Sequence, residues 1–248
     1  MSHRVPILCY HRVHRDDDCP PTPPAGEYCG HVSLTTFRRQ MQYLVERRFR
    51  TVTHRDLAEW ILADKPIPER AVAIDFDDNR IHVFENAFPV LESLGMVATV
   101  FVVSQLADGA DLGHMSRPYG AMRWKELTIL KDAGWLIGAH TRTHKYLADL
   151  YPAPGGPREV AEELLGCQEE IARHLGETPA HFAYPAGSWN AEVETLVKRW
   201  YRTARLWSPD PSAVYNTRTT DPYRLQAINV SAQLPFETFK EIVLAAEA

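Results

Sequence analysis

The sequence predicts an α/β protein built around a parallel β-sheet. Short apolar runs alternate with helical patterns along almost the whole chain of 248 residues, and no repeat or linker divides it. Apolar residues make up 45% of the chain and charged residues 24%, which is ordinary usage for a globular protein with one large core. Six to eight strand–helix units suit either a barrel or an open doubly wound sheet. We expect a single domain over residues 1–248.

The predicted strands are short apolar runs bounded by turns or helical patterns. They cover residues 5–9, 71–76, 97–103, 135–139, 180–184 and 226–230. The helices are predicted from apolar residues three and four positions apart, which give each helix one face for the sheet. The stripes are Phe37/Met41/Leu44/Val45, Val90/Leu94, Val160/Leu164/Ile171/Leu175, Val193/Leu196/Val197/Trp200 and Phe236/Phe239/Ile242/Val243.

Two long segments interrupt this alternation. Residues 14–31 are rich in Pro, Asp and Gly, and residues 104–122 form an irregular insertion that contains GADLGH and RPYG. Loops of this length are uncommon unless they cover a site or are mobile. We expect each segment either to border a site or to be a disordered surface loop.

The charge balance argues against nucleic acid and membranes as partners. Lys and Arg number 27 against 32 Asp and Glu, which gives a net charge of −5 and no basic field for phosphates. The first residues lack a cationic leader with a long apolar stretch, and no run approaches the roughly 20 apolar residues of a spanning helix. Four cysteines without a CxxC pair are too sparse for a disulfide framework. We therefore expect a cytoplasmic protein.

An acidic cluster follows the predicted strand at residues 71–76. Asp75, Asp77 and Asp78 place three carboxylates within four residues, and their repulsion calls for a cation or shared protons. A solvated acidic loop is the alternative. The buried strand favours a site, because the carboxyl ends of parallel strands face the ligand-binding crevice. Asn79 is a residue type that tolerates a positive φ where the chain turns.

Two histidines follow the predicted strand at residues 135–139. Four residues separate His140 from His144, so on one helical turn both imidazoles would share a face and could bind a zinc-type ion. Taken alone the pattern is weak, since surface histidines often have this spacing. Combined with one Asp of the acidic cluster, it predicts a site for zinc or a neighbouring divalent metal, with one position open for water.

Two further strand ends carry candidate groups. His11 follows the first strand, where a packing or surface histidine is the alternative. Residues 182–187, FAYPAG, end another strand, and their turn is either a simple reversal or a means of presenting a backbone N–H to a ligand.

These motifs resemble those of the polysaccharide deacetylases, carbohydrate esterase family four. Phe76-Asp77-Asp78 matches the FDD of the first family motif, and His140-Thr141-Arg142-Thr143-His144 matches the second. The opening ILCYHRV is similar to the branch of poly-N-acetylglucosamine deacetylases in which the motifs are circularly permuted. The resemblance runs from about Val5 to Val243 and implies a single-domain, deformed (β/α)7 barrel.

The resemblance also implies an activity and a metal. It implies a metal-dependent hydrolase that removes N-acetyl groups from an amino sugar or from an oligo- or polysaccharide containing N-acetylglucosamine. Asp78, His140 and His144 would hold the divalent metal, with zinc expected first and cobalt or nickel as alternatives. Coordination lowers the pKa of water from 15.7 to roughly 7, which makes a nucleophile available at neutral pH.

Three other residues receive catalytic roles from the same resemblance. Asp77 would accept the proton of the attacking water, and the backbone N–H of Ala186 would stabilise the oxyanion. His11 would protonate the departing amine, because no histidine follows His181 near the C-terminus, where the family's usual acid lies. Asp210 and Asp221 are equal candidates for the carboxylate that orients His11.

The chain departs from the family pattern at four positions. Asp75 stands where Thr or Ser is usual and is expected to affect metal affinity or the charge preference for substrate. Asn79 replaces a Gly, Ala183 replaces an Arg that lies beside the catalytic Asp in many members, and Ala186 replaces a Tyr.

Two alternative functions stay open at this point. The first is a metal-dependent amide or imide hydrolase that acts on a small metabolite or a biosynthetic glycoside. The lack of an export signal and of a second domain in the sequence favours it, and so does the 104–122 loop, which could close over a compact substrate. The second is a catalytically inactive carbohydrate-binding protein, which the departures from the family pattern would permit. Three aromatic residues are candidates either for stacking on sugar rings or for packing in the core, namely Trp124, Trp189 and Trp207.

Overall fold

The strands and helices follow the predicted alternation along the chain. The computed structural model describes residues 3–20, 30–115, 120–208 and 215–245. In chain order the strands are β1 (Val5–Tyr10), β2 (Arg12–His14), β3 (His31–Ser33), β4 (Arg50–Val52), β5 (Ala71–Asp77), β6 (Thr99–Val102), β7 (Leu136–Ala139), β8 (His181–Ala183), β9 (Thr203–Ser208), β10 (Tyr215–Asn216) and β11 (Leu225–Asn229). The helices are α1 (Leu34–Glu46), α2 (His54–Leu62), α3 (Phe88–Ser93), α4 (Ser104–Asp108), α5 (Trp124–Asp132), α6 (Leu147–Leu150), α7 (Gly156–Leu175), α8 (Ala191–Val197) and α9 (Phe236–Ala245).

Seven parallel strands close into a barrel with helices around it, which confirms the predicted fold class. Each strand of the ring pairs with the next in the order β1, β5, β6, β7, β8, β9 and β11, and β11 pairs with β1 to close the barrel. β4 extends the sheet on β5, and β10 pairs antiparallel with the start of β1. All seven barrel strands therefore end at the same rim, where the predicted motifs meet.

The two faces of the barrel strands contact different sets of apolar residues. On β1, Ile7 belongs to one buried cluster and Leu8 to another, as expected when successive side chains point inward and outward. The inner cluster also contains Leu57 and Trp60 of α2, so this helix packs against the inward-facing residues. A capping box between Thr53 and Asp56 begins α2 at that position.

One glycine makes room for an aromatic ring inside the barrel. A Cβ atom on Gly138 of β7 would lie 2.6 Å from the ring of Phe101 on β6. Both residues are buried, and the guanidinium of Arg205 on β9 lies 5.0 Å from the centre of the Phe101 ring. Gly138 therefore allows Phe101 to support a charged group at the level of the site.

A buried ion cluster fastens α8 to the segment before β11. The carboxylate of Glu194 accepts hydrogen bonds from Trp189 Nε1 at 2.8 Å, Lys198 Nζ at 2.6 Å and Arg224 Nε at 2.7 Å. Burial opposes ionisation of Glu194, but hydrogen bonds from Arg224, Lys198 and Trp189 outweigh it and lower the pKa of the carboxyl to about 2.

Some details of the predicted fold were wrong. The third predicted strand begins at Thr99 rather than at residue 97, and residues 104–122 are not wholly irregular, because α4 occupies their first five positions. The barrel strand β9 was not predicted, and neither were the short strands β2, β3, β4 and β10 or the helices α2 and α5. No helix in the described ranges is long and apolar enough to cross a membrane.

Candidate active site

The predicted metal ligands meet at the rim formed by the carboxyl ends of the barrel strands. Asp78 follows β5, and His140 and His144 follow β7. Asp78 Oδ1 lies 3.6 Å from His140 Nε2 and 3.3 Å from His144 Nε2. All three residues offer one donor atom within 4.8 Å of the others, and the two imidazole rings are 4.9 Å apart. The structure therefore brings together the three side chains that the sequence assigned to a metal.

The chemistry of this donor set fits a divalent cation. Asp78 Oδ1 is buried and accepts no hydrogen bond within the described residues, so its free lone pairs face the two imidazoles. Burial opposes ionisation of Asp78, yet Arg80 and the neighbouring histidines lower the pKa of the carboxyl. Burial also lowers the pKa of His140, and that of His144 to about 4, so both rings are neutral and able to donate a lone pair.

Hydrogen bonds behind the donor atoms fix their direction. His140 Nδ1 lies 2.8 Å from the carbonyl oxygen of Ala183, which makes Nδ1 the protonated nitrogen and leaves Nε2 free toward Asp78. Arg80 donates from Nη2 to Asp78 Oδ2 at 3.2 Å, and its Nη1 bonds the carbonyl of Met115. The donor atoms of His140 and Asp78 thus belong to groups whose other side is bonded to protein.

The turn after β5 confirms the predicted positive φ at Asn79. Asp78 has a φ of 70° and Asn79 a φ of 37°. The Asn79 side chain accepts from the Val103 N–H at 3.0 Å and donates to the Met122 carbonyl at 3.1 Å. Asn79 therefore ties the turn to both ends of the 104–122 insertion, which glycine could not do, and this offsets its less favourable backbone conformation.

The segment between the two histidines is not a helix, contrary to the prediction. Thr141 and His144 both have a φ of 63°, and the His144 N–H donates to Thr141 Oγ1 at 2.9 Å. Glu163 of α7 accepts from the Thr143 N–H at 2.8 Å and from Thr143 Oγ1 at 2.5 Å. The imidazoles meet because α7 holds an irregular turn, rather than because of helical spacing.

Asp77 lies beside the ligand set and has separate partners for its two oxygens. Arg205 Nη2 bonds Oδ1, whereas the thiol of Cys9 donates to Oδ2 at 3.4 Å. Oδ2 also faces His11 Nε2 at 3.9 Å and His140 Nε2 at 4.0 Å. Burial opposes ionisation of Asp77, but the charges of Arg205, His140 and His11 lower its pKa to about 2. Asp77 is therefore a charged acceptor at neutral pH.

His11 directly follows β1 and lies at the same rim of the barrel. It is 8% exposed, and its Nδ1 has no hydrogen-bond partner in the described chain. Burial lowers the pKa of His11, although Asp77 and Asp78 oppose this shift. Asp221, one of the two predicted orienting carboxylates, instead accepts from the Tyr223 N–H at 2.9 Å, and Asp210 lies outside the described residues.

The sequence pattern of polysaccharide deacetylases matches residues 64–204, more than half of the chain. The chain belongs to the polysaccharide deacetylase family. The matched range includes the three candidate ligands and Asp77, whereas His11 and Arg205 lie outside it.

Relatives of this family member cover most of its length at low identity. The Bacillus subtilis protein YxkH is 23% identical over 237 residues, which are 95% of this chain and 75% of that protein. A Staphylococcus aureus poly-beta-1,6-N-acetyl-D-glucosamine N-deacetylase is 22% identical over 172 residues, 68% of this chain and 58% of the enzyme. The chain thus matches less than two thirds of the length of the second relative.

Solved structures share the fold over nearly the whole chain. The Streptococcus pyogenes deacetylase PplD superimposes with a TM-score of 0.80 at 18% identity, covering 98% of this chain and 99% of that one. IcaB from Ammonifex degensii gives 0.78 at 21% identity, covering 100% and 99%. Both confirm the deformed barrel.

Arg205 is a residue at the site of this family member that sequence reasoning missed. The family position that holds an Arg in many members was assigned to Ala183, whose methyl group is buried in the core. In the structure an arginine does contact Asp77, but it comes from β9, the next strand of the barrel. The alternation in TARLWS, with Thr203, Arg205 and Trp207 on one face, was the available signal.

Asp75 does not face the candidate metal ligands. Within the described residues, no direct contact therefore supports the expected effect of Asp75 on metal affinity or on the charge preference for substrate. Its side chain is fully buried within the barrel. It lies 2.9 Å from His54 Nε2 and 3.0 Å from Arg205 Nε. The additional carboxylate is therefore part of the interior below Asp77.

Ala186 occupies an exposed turn after β8 and has a φ of 50°. The backbone bonds of this turn run from the Gly187 N–H to Tyr184 and from the Ser188 N–H to Pro185. Within the described residues, neither of these bonds uses the Ala186 N–H, so the assignment of this group to an oxyanion stays a prediction.

Two of the three aromatic candidates, Trp124 and Trp189, pack against other side chains. Trp124 stacks on His174 with ring centres 4.4 Å apart and donates to Asp108 at 2.6 Å. Trp189 lies under the Arg224 guanidinium, 4.5 Å from its centre. Trp207 is half-buried beside Gly187.

Proposed function

We propose that this chain is a metal-dependent hydrolase that removes N-acetyl groups from amino sugars within a carbohydrate. The observation that carries the proposal is the meeting of two sets at one rim. A neutral two-histidine, one-carboxylate donor set lies next to a charged Asp77, whose Oδ2 also faces His11. A carbohydrate-binding protein without activity would have no use for Asp77 and His11 beside the donor set, which argues against that alternative.

Asp78, His140 and His144 would hold the metal, which when bound supplies Lewis acidity to a carbonyl and lowers the pKa of coordinated water. Asp77 accepts the proton of the attacking water at Oδ2, because Oδ1 is occupied by Arg205. A carboxylate whose pKa is about 2 is ionised across the neutral range, so this acceptor is always available.

His11 delivers a proton to the departing nitrogen. Its Nε2 lies 3.9 Å from the same Asp77 oxygen, so the group that accepts the proton of water and the group that protonates the nitrogen are neighbours. Burial lowers the pKa of His11, which makes the imidazolium a ready donor once it forms. The Ala186 N–H is assigned to the developing oxyanion, where one donor contributes about 3 to 4 kcal/mol.

The surroundings of the site suit a sugar-sized substrate. A groove of about 550 Å³ opens beside His144 and Lys145 and is lined by Leu112, Met115 and Tyr146. This volume falls within the range of about 300 to 1,000 Å³ that ligand sites occupy. Tyr146 is half exposed and offers an aromatic surface next to His144. The relative named as a poly-N-acetylglucosamine N-deacetylase supports an N-acetylated carbohydrate as the substrate class.

The test is metal content measured together with acetate release. Protein purified without chelator is analysed for metals, then incubated with N-acetylglucosamine oligomers of one to six units before and after stripping and restoring zinc, cobalt or nickel. We expect about one metal per chain and acetate that disappears and returns with the metal. Turnover only above the dimer supports a polymer substrate, whereas turnover of the monomer supports the small-amide alternative. Bound metal with no acetate from any member would refute the proposal.

A further inference from the structure

A second layer of ionisable side chains lies below Asp77 inside the barrel. It consists of Asp75 on β5, Arg205 on β9 and His54 at the start of α2. His54 and Asp75 are fully buried, and Arg205 is 1% exposed. Asp75 and Asp77 are two residues apart on one strand, so both side chains point inward and both meet Arg205. The base and this lower layer therefore share one cation.

The guanidinium of Arg205 is held from several sides. Its Nη2 bonds Asp77 Oδ1, its Nε forms an ion pair with Asp75 Oδ2 at 3.0 Å without the geometry of a hydrogen bond, and its central carbon lies 5.0 Å from the ring centre of Phe101. An arginine has five donors in a rigid plane, so two carboxylates at different edges fix its rotation as well as its place. Release of either carboxylate would free the plane to turn.

Asp75 is in turn fixed by His54. Both of its charged contacts use Oδ2, which lies 2.9 Å from His54 Nε2, whereas Oδ1 has no hydrogen-bond partner within the described ranges. His54 is the first residue of α2, and its ring lies edge-on to Phe101 at 5.0 Å. A chain of contacts thus runs from α2 through Asp75 and Arg205 to the oxygen of Asp77 that does not accept the proton.

We propose that His54 and Asp75 are positioning residues that set the guanidinium plane of Arg205, and through it the orientation of the Asp77 carboxylate. The inference rests on the proposed function, because it concerns how the base is held. It also gives Asp75 a role that the comparison with the family pattern leaves unexplained. Neither residue touches the predicted metal ligands, so their removal should affect turnover rather than metal binding.

The chain offers a matched set of variants. His54→Leu removes the donor to Asp75, whereas His54→Gln keeps an N–H at a similar reach. His181 is a control of the same kind, because it is 2% exposed and its ring lies 6.2 Å from that of His54. Its hydrogen bond goes to Thr203 Oγ1 at 2.9 Å rather than to a residue of the second layer. His181→Leu therefore causes a similar change in core packing without removing a contact of Asp75.

Kinetics with an N-acetylated substrate supply the first readout. We expect His54→Leu to lower kcat about 10- to 100-fold with KM and metal content unchanged, since a small misplacement of a reacting group has effects of this size. His54→Gln should recover kcat to within about 3-fold of wild type, and His181→Leu should leave it within the same range. In an Asp77→Asn background, His54→Leu should cause no further loss. Equal losses in the two leucine variants, or full additivity with Asp77→Asn, would overturn the proposal.

A second readout does not depend on turnover. In ¹⁵N-labelled protein, the Arg205 guanidinium should give slowly exchanging side-chain signals, assigned by their absence in Arg205→Lys. We expect these signals to shift or broaden in His54→Leu and Asp75→Asn but not in His181→Leu. Unchanged signals refute the positioning role even if the enzyme is active. Wild-type protein without acetate release refutes the proposed function alone, because the signals still report on the Arg205 plane.

Discussion

Replacement of Asp77 by Asn separates the base from the metal ligands. The two side chains have nearly the same shape, so the amide oxygen can take the place of Oδ1 and keep the bond from Arg205. The amide nitrogen then replaces Oδ2, which faces the Cys9 thiol at 3.4 Å and His11 Nε2 at 3.9 Å. An amide nitrogen cannot accept a proton.

The size of the effect follows from what is lost. A positioned base contributes about 100- to 10,000-fold, which is roughly 3 to 5.5 kcal/mol at 1.36 kcal/mol per tenfold. The hydrogen bond from Arg205 loses the charge of its acceptor, at a cost on the order of 1 kcal/mol, while Asp75 still balances the arginine. We therefore expect a fall in Tm of a few degrees and a fully folded protein at 25 °C.

The assay measures acetate release, metal content and thermal unfolding on the same preparation. Asp132→Asn, which alters an exposed carboxylate at the end of α5, serves as the control and should behave as wild type. Turnover of Asp77→Asn at the wild-type rate with metal bound would refute the base assignment. Loss of metal from this variant would show instead that Asp77 is a ligand, although its Oδ2 lies 4.0 Å from His140 Nε2.

Four further outcomes are expected. His144→Ala should lose metal and turnover together, and elemental analysis showing wild-type metal content would contradict its role as a ligand. His11→Ala should keep metal and lose about 100- to 10,000-fold on acetamides but less on an ester with a good leaving group, and equal losses would contradict its role as the acid. Glu163→Gln should weaken metal binding about 10-fold in a chelator competition, because it loosens the turn between the imidazoles, and an unchanged Kd would count against this. Glu194 ionises with a pKa of about 2 in the folded protein, so it stabilises the fold above about pH 4.5 and loses that effect as the pH falls toward 2. Urea unfolding of Glu194→Gln at pH 7 and pH 3 should therefore show a pH dependence smaller by on the order of 2 kcal/mol, and a slope equal to wild type would contradict this.

Sequence reasoning located most of the site because its residues follow apolar strands directly. Asp78 directly follows β5 and His140 directly follows β7, and parallel strands bring such positions to one rim. A metal site made by the two histidines and one Asp of the acidic cluster was predictable for this reason. The choice of Asp78, the role of Asp77 and the role of His11 were assigned by resemblance, and the closing of the barrel through β1 accounts for the place of His11.

The missed features depend mainly on contacts between segments that are distant in the sequence. β9 carries a charged residue in its middle, so TARLWS shows only an alternation and lacks the apolar run by which the other barrel strands were predicted. Arg205 is tolerated there only because Asp75 and Asp77, about 130 residues earlier, balance it. The turn at residues 140–144 was taken for a helix because its spacing fits one, whereas Glu163 and the positive φ of Thr141 determine its shape.

The pairing of β1 sets the order in which the site is completed during synthesis. β1 leaves the ribosome before the other barrel strands, but it pairs with β5 on one edge and with β11, some 220 residues later, on the other. At about 5 to 20 residues per second, β11 follows β1 by about 10 to 45 seconds. The candidate ligands after β5 and β7 are made during that interval, while the barrel that seats His11 is still open. The residue assigned to protonate the leaving group is therefore translated before the ligands and enclosed only when β11 pairs with β1.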